Sequence, residues 1–237
     1  MIDLNSKSAI SDRINYLIDQ KLENVSEKPR AYLGASIVGI SCERAVQYHL
    51  LMSQGEKIEK KGIPGRTMRI FDRGFTYEEK AIRWLKMAGF VFGGHQAEIE
   101  DFDGLFRGHC DGIITEGPDL GIEYPCLWEC KCLQDKSWKA IEKDGLQKYS
   151  SSYWAQVHLY MAYLELESCL YTVVNANTME MLHFTIERDY NVARQYRDRV
   201  ERIITATKLD EMVPRISTDN NFFECKNFCD FYEECWK

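Results

Sequence analysis

The chain has 237 residues, 45% hydrophobic and 12% aromatic, with nine cysteines and a net charge of −7. It is too apolar for a disordered chain, too acidic for a polybasic, histone-like protein, and long enough for one large domain with its own core. No apolar run approaches the roughly 18–20 residues of a membrane span and MIDLNSKSAISDR lacks a signal-peptide apolar segment, so the cysteines read as reduced thiols or metal ligands of a cytoplasmic protein.

In chain order, spacing predicts a first helix over 9–23, with Ile10, Ile14, Leu17, Ile18 and Leu22 on one face and Ser8 as a candidate cap. After a break near Pro29, Ser36 caps a predicted helix running to about Met52. Lys57 to Gly65 is charged and punctuated by Gly and Pro, an exposed loop. A helix over 66–88 carries Phe71, Phe75, Ile82 and Leu85 and ends at Gly89. The period then shortens: 91–100, 104–115 and 126–132 alternate and suggest an antiparallel meander. Helical spacing returns over 135–144 and 150–166. The pair 169–175 and 180–187 reads as strands, 189–209 as an amphipathic helix, and a cysteine-rich tail follows. The order implies one α/β domain without internal repeats.

Charge is uneven along this order. Residues 36–90 balance to +4, 91–130 to −8 and 131–155 to +2. An acidic middle between basic flanks suits carboxylates holding a metal that faces a polyanion, and it also suits solvated faces that differ by chance. The segment Gly108-His109-Cys110-Asp111-Gly112-Ile113-Ile114 is followed by Leu127-Trp128-Glu129-Cys130-Lys131. Glu129 and Lys131, two apart on a strand, share a face. With Asp111 from a neighbouring strand they offer two carboxylates for a hard divalent cation and an ammonium beside it. The plain alternative is a surface Glu–Lys pair.

GHCDGII followed by WECK resembles the Asp…Glu-x-Lys motif of the PD-(D/E)XK nuclease superfamily, and more narrowly its RecB-like exonuclease branch, which includes phage recombination and CRISPR-associated nucleases. Arg73-Gly74-Phe75-Thr76-Tyr77-Glu78 and Gln156-Val157-His158-Leu159-Tyr160 are similar to that branch's preceding helix and its Q-x-x-x-Y helix. The resemblance spans roughly 33–235. It implies a restriction-endonuclease-like α/β core, a central mixed sheet flanked by helices, with an N-terminal helical part joined to a C-terminal cysteine tail. It implies a single nuclease domain over 1–237: 1–65 helical, 66–210 the core, and 211–237 packing on the N-terminal region. The implied activity is metal-dependent DNA exonuclease cleavage in repair, recombination or CRISPR adaptation. A structure-specific endonuclease and a non-catalytic DNA-binding subunit are the alternatives. Asp111 and Glu129 then bind Mg²⁺ or Mn²⁺, Lys131 assists the water, and Gln156 and Tyr160 position substrate. The family's histidine in the first motif is replaced here by Tyr77 or Glu78; Glu78 is the expected ligand, with Glu79 beside it. His109 is expected on the Asp111 face, while His49, His95 and His183 carry no assignment.

Cys110, Cys130 and Cys132 alternate with motif residues and are expected on the opposite, buried face; Cys126 and Cys169 fit strand cores. Cys225, Cys229 and Cys235 cluster in the tail, and Cys42 precedes the nuclease motifs. One early and three late cysteines resemble the [4Fe–4S] ligands of RecB-like nucleases. Three residues separate Cys225 from Cys229, where that family has two, which leaves structural Zn²⁺ as the alternative. Candidate DNA contacts are Arg44, Lys57, Lys60, Lys61, Arg66, Arg69 and Arg73 before the acidic segment, and Lys136, Lys139, Lys143 and Lys148 after it. Trp138, Tyr149, Tyr153 and Trp154 are candidate stacking platforms. DNA, a second copy of the chain, or a recombination or CRISPR complex are the expected partners.

Overall fold

A computed structural model describes residues 9–24, 30–94 and 96–237. The expected cap Ser8, the break at Pro29, and His95 lie outside these residues. No described helix is long and apolar enough to cross a membrane.

The elements are α1 (Ala9–Glu23), β1 (Leu33–Gly34), a 3₁₀ turn (Ala35–Ile37), α2 (Glu43–Ser53), α3 (Gly65–Met87), β2 (Val91–Gly94), β3 (Glu98–Asp101), β4 (Phe106–His109), β5 (Gly112–Glu116) and β6 (Cys126–Leu133). There follow α4 (Asp135–Asp144), α5 (Leu146–Tyr149), α6 (Ser151–Tyr163), β7 (Ser168–Asn175), β8 (Met181–Glu187), α7 (Tyr190–Lys208), α8 (Phe223–Phe228) and α9 (Tyr232–Cys235). A five-stranded sheet has the order β2-β5-β6-β7-β8, and a three-stranded sheet the order β1-β4-β3. β6 and β7 run parallel, their crossover built from α4, α5 and α6; the other pairs of the larger sheet are antiparallel.

The expected meander is therefore two sheets. The stretches 91–100 and 104–115 each break in the middle, and their halves enter different sheets. At Cys110 and Asp111 the chain leaves β4 and turns into β5, so strand alternation does not carry across. Cys110 consequently packs in the core with Leu127, Tyr160 and Tyr171, the face of Glu129, whereas Cys126 and Cys130 occupy the opposite face with Trp128 and Leu170. His109 is half-exposed on the smaller sheet, 3.9 Å from the Glu98 carboxylate.

Two helix expectations also change. Ser36 falls in the 3₁₀ turn, and α2 begins at Glu43 with Cys42 as its cap. The aliphatic stripe of α1 is exposed at Ile10, Ile14, Leu17 and Ile18. α1 grips α3 through polar groups instead. Glu23 Oε1 accepts the Gly65 N–H at 2.8 Å and Asp19 pairs with Arg69 at 3.0 Å. Periodicity identifies an apolar face without saying what covers it.

The segment after α2 is no free loop. The Lys61 N–H donates to the Asp230 carbonyl at 2.8 Å, the Glu59 N–H to Glu234 at 3.0 Å, and Ile58 packs among Tyr48, Phe231 and Cys235. This strap lies on the tail and leads straight into α3.

Candidate active site

β5 and β6 pair antiparallel with Gly112 opposite Trp128, so the next step along the ladder sets Asp111 beside Glu129. Backbone N–H groups of the two strands hold both carboxylates. The Asp111 N–H donates to Glu129 Oε1 at 3.3 Å, and the Cys130 N–H donates to Asp111 Oδ2 at 2.8 Å. The Lys131 ammonium donates to Glu129 Oε2 at 3.1 Å and stands 3.7 Å from Asp111 Oδ2. A cation thus already sits between the two carboxylates, supplied by the protein itself.

The electrostatics are those of a crowded acidic site. Burial, then the Asp111 charge, push the Glu129 carboxyl up to about 8 against the pull of Lys131. Burial would lower Lys131, yet Asp111 and Glu129 hold it well above the ordinary lysine value, so it is an ammonium at neutral pH. Glu78 reaches the same group from α3; burial first, then Asp111, raise its carboxyl to about 7. Glu79 points to solvent. Crowding of three carboxyls around one ammonium is what raises Glu129 and Glu78, and a further cation would favour their ionised forms.

Beneath the pair lies α6. Gln156 Nε2 donates to the Tyr160 hydroxyl at 3.3 Å, and that hydroxyl donates to the His109 carbonyl at 2.9 Å. This bond ties α6 to the point where the chain passes between the two sheets. Gly108 permits it, since a Cβ there would stand 2.6 Å from the Tyr160 ring and 2.8 Å from Ala35. Burial raises the Tyr160 phenol, which stays protonated and a donor. The Tyr153 ring lies 5.6 Å from the Lys131 ammonium. Tyr171, aligned with Glu129 in the parallel register and bearing a buried hydroxyl without a hydrogen-bond partner, completes the surroundings. Sequence alternation alone does not single out Tyr171, because the β6–β7 register decides which residue stands beside Glu129.

The basic candidates disperse. Arg44 donates to the Val213 carbonyl, far along the chain from the acidic pair. Arg69 pairs with Asp19, while Arg73 lies beside Cys132. Lys139 pairs with Asp135 at 2.8 Å, Lys148 with Asp144 at 2.8 Å, and Lys136 is exposed on α4. Among the proposed stacking residues, Trp138 is buried and donates to the Val173 carbonyl, and Trp154 stands edge-on to His158.

Cys42, Cys225 and Cys229 line one cavity of about 630 Å³ between the start of α2, the start of α6 and the tail. Cys235 is buried with Ala45, Tyr48 and Phe231, and Cys42 and Cys229 pack against that cluster. Burial, then the neighbouring cysteines, raise the Cys225 and Cys229 thiols. Among the described residues no set of three or more His, Cys, Asp or Glu side chains is placed to hold a metal ion. For the acidic pair this is compatible with Mg²⁺, which one or two carboxylates plus waters and phosphates suffice to bind.

No family profile matches the sequence, and no curated protein matches it closely. Solved structures resemble it in fold. An alkaline exonuclease from Laribacter hongkongensis superposes with a TM-score of 0.54 at 16% identity, over 77% of this chain and 90% of that one. The same enzyme in complex with dAMP gives 0.53 at 16% identity, over 76% and 89%. The chain has a restriction-endonuclease-like α/β core. A mixed sheet flanked by helices is what the resemblance implied; the separate three-stranded sheet is an addition to it.

Proposed function

We propose that the chain is a Mg²⁺- or Mn²⁺-dependent DNA exonuclease acting in repair, recombination or CRISPR adaptation. The observation that carries this is the Asp111–Glu129 pair, its carboxylates held by the Cys130 and Asp111 backbone N–H groups, with the Lys131 ammonium between them. The alkaline exonuclease of similar fold, and its complex with dAMP, support DNA as the substrate.

Asp111 and Glu129 would hold the ion, with Glu78 approaching from α3. The ion supplies Lewis acidity toward the phosphate and a more acidic water. Lys131 orients that water and offsets charge developing on the phosphate, and the low-dielectric setting strengthens its effect. Gln156 and Tyr160 hold the floor of the site and keep the Cys110–Asp111 turn in place. We read Cys42, Cys225, Cys229 and Cys235 as ligands of a [4Fe–4S] cluster, with structural Zn²⁺ as the second reading; the cavity that Cys42, Cys225 and Cys229 share, with Cys235 in the adjoining cluster, supports this.

The test is digestion of end-labelled single- and double-stranded DNA with Mn²⁺ by wild type and Lys131→Ala. A loss of about 100-fold or more is expected, on the scale of removing one transition-state donor. Equal rates would dismiss the mechanism. Cleavage of covalently closed circles would make the enzyme an endonuclease. Metal analysis with an anaerobic absorption spectrum of the same sample separates iron–sulfur from zinc.

A further inference from the structure

Along α3, Phe71, Phe75 and Glu78 stand at i, i+4 and i+7, on one stripe of the helix. The stripe continues into Ile82 and Leu85, which are buried with Trp128, Cys130 and Leu170 on the sheet. Toward the N-terminal end the same stripe is bare. Phe71 is 48% exposed and Phe75 66%. Adjacent exposed aromatic rings on a charged helix mark an interaction surface.

The charge around them selects the kind of partner. In a chain of net −7, α3 carries six lysines and arginines against three acidic residues. Arg66, Lys80 and Arg83 are exposed. The helix is thus locally positive in an acidic chain, which favours a polyanion as its partner. The aliphatic residues of α1 are a separate surface, because Ile10, Ile14 and Leu17 project away from Asp19 and Glu23, which touch α3.

We propose that Phe71 and Phe75 form a base-stacking platform for single-stranded DNA, leading the strand to Glu78, Asp111 and Glu129. The proposal rests on the nuclease reading for the chemistry that follows binding. Unpaired bases expose the flat faces that phenyl rings stack on, whatever the sequence, while the basic excess of α3 as a whole draws a polyanion toward this helix. At about 1.5 Å of rise per residue, Phe75 stands about 4.5 Å along the helix from Glu78, so a base held there leaves its neighbouring phosphate within reach of the acidic site.

The experiment is fluorescence anisotropy of a labelled oligothymidine with the full-length protein in EDTA, so that binding is read without hydrolysis. Phe71→Ala/Phe75→Ala should bind at least about tenfold more weakly than wild type. Phe71→Tyr/Phe75→Tyr should retain affinity, whereas Phe71→Leu/Phe75→Leu, equally apolar but unable to stack, should not. Circular dichroism checks that each variant is folded. Equal affinity of wild type and either the alanine or the leucine variant would overturn the platform. So would light scattering that shows the alanine variant dissociating an oligomer with its DNA affinity intact, since the stripe would then be an interface between copies. Wild type that binds through the stripe but cuts nothing with Mn²⁺ would end the nuclease reading and leave the platform standing. Wild type that cuts, with binding indifferent to the phenylalanines, would do the reverse.

Discussion

Gly108 carries no functional group, yet it decides whether Tyr160 can reach the His109 carbonyl. Gly108→Ala places a methyl group against the Tyr160 ring and Ala35. A loss of about 1–3 kcal/mol is expected, as for other overpacked cores, read as a lowered urea midpoint, with a fall in DNA cleavage as the Cys110–Asp111 turn shifts. His158 gives a second test. It is fully buried, its Nδ1 accepts the Asp189 N–H, and burial pushes it down to about 4 although Asp189 pulls the other way. His49, half-buried beside Phe231, is lowered to about 4 by burial and by Lys60. An unfolded histidine titrates near pH 6.5, so the unfolded chain gains protons first as pH falls. The contribution of these two histidines is therefore complete above about pH 6.5 and declines toward pH 4, by up to about 3 kcal/mol for His158. Urea midpoints at pH 7.5 and pH 5 should differ less in His158→Gln than in wild type. The acidic pair was legible at this scale because Glu-x-Lys on a strand needs only a period of two. Tyr153 and Tyr171 beside Lys131 were not, because a helix crossing and a parallel register bring them there.

Helix α3 shows what an element adds to its residues. Its first cap is borrowed, since Pro64 offers no side-chain cap and Glu23 of α1 accepts the Gly65 N–H instead. Glu23→Ala should cost about 1 kcal/mol, the worth of an ordinary cap, and hydrogen exchange should quicken in 9–24 and at the start of α3. Unchanged exchange would mean that the Asp19–Arg69 pair alone holds α1. The helices were mostly readable, since 66–88, 135–144 and 189–209 carry clear periodicity and stop signals at Gly89 and Gly145. The strands from 91 to 115 were readable as strands but not as members of two sheets. Alternation reports that a segment is extended, and the Cys110–Asp111 turn that parts the sheets has no mark in the sequence beyond Gly108 and Gly112. The apolar stripe of α1 was read correctly as a stripe, but its polar grip on α3 falls on the other side of the helix.

Across the molecule, the cysteine-bearing tail, the strap and α3 form one mechanical series. Phe231 packs on Tyr48 and His49, the strap hydrogen-bonds to Asp230 and Glu234, and α3 begins where the strap ends. Cys42→Ser/Cys225→Ser should lower the melting temperature by several degrees and speed amide exchange in 56–64, with a smaller effect on β6 and β7. Exchange that rises uniformly, or only at 223–235, would show that the strap stands without the tail. The gathering of Cys42 with the tail cysteines was legible only through the resemblance, because contacts across some 180 residues leave no periodic trace. The strap also sets a schedule. A ribosome makes Asp111, Glu129 and Lys131 long before it makes Asp230 and Glu234, so a nascent chain carries these three residues while the strap still lacks its partners in the tail. The strap is therefore fastened late, after α1, α3 and the Asp111–Glu129 pair have all been synthesised.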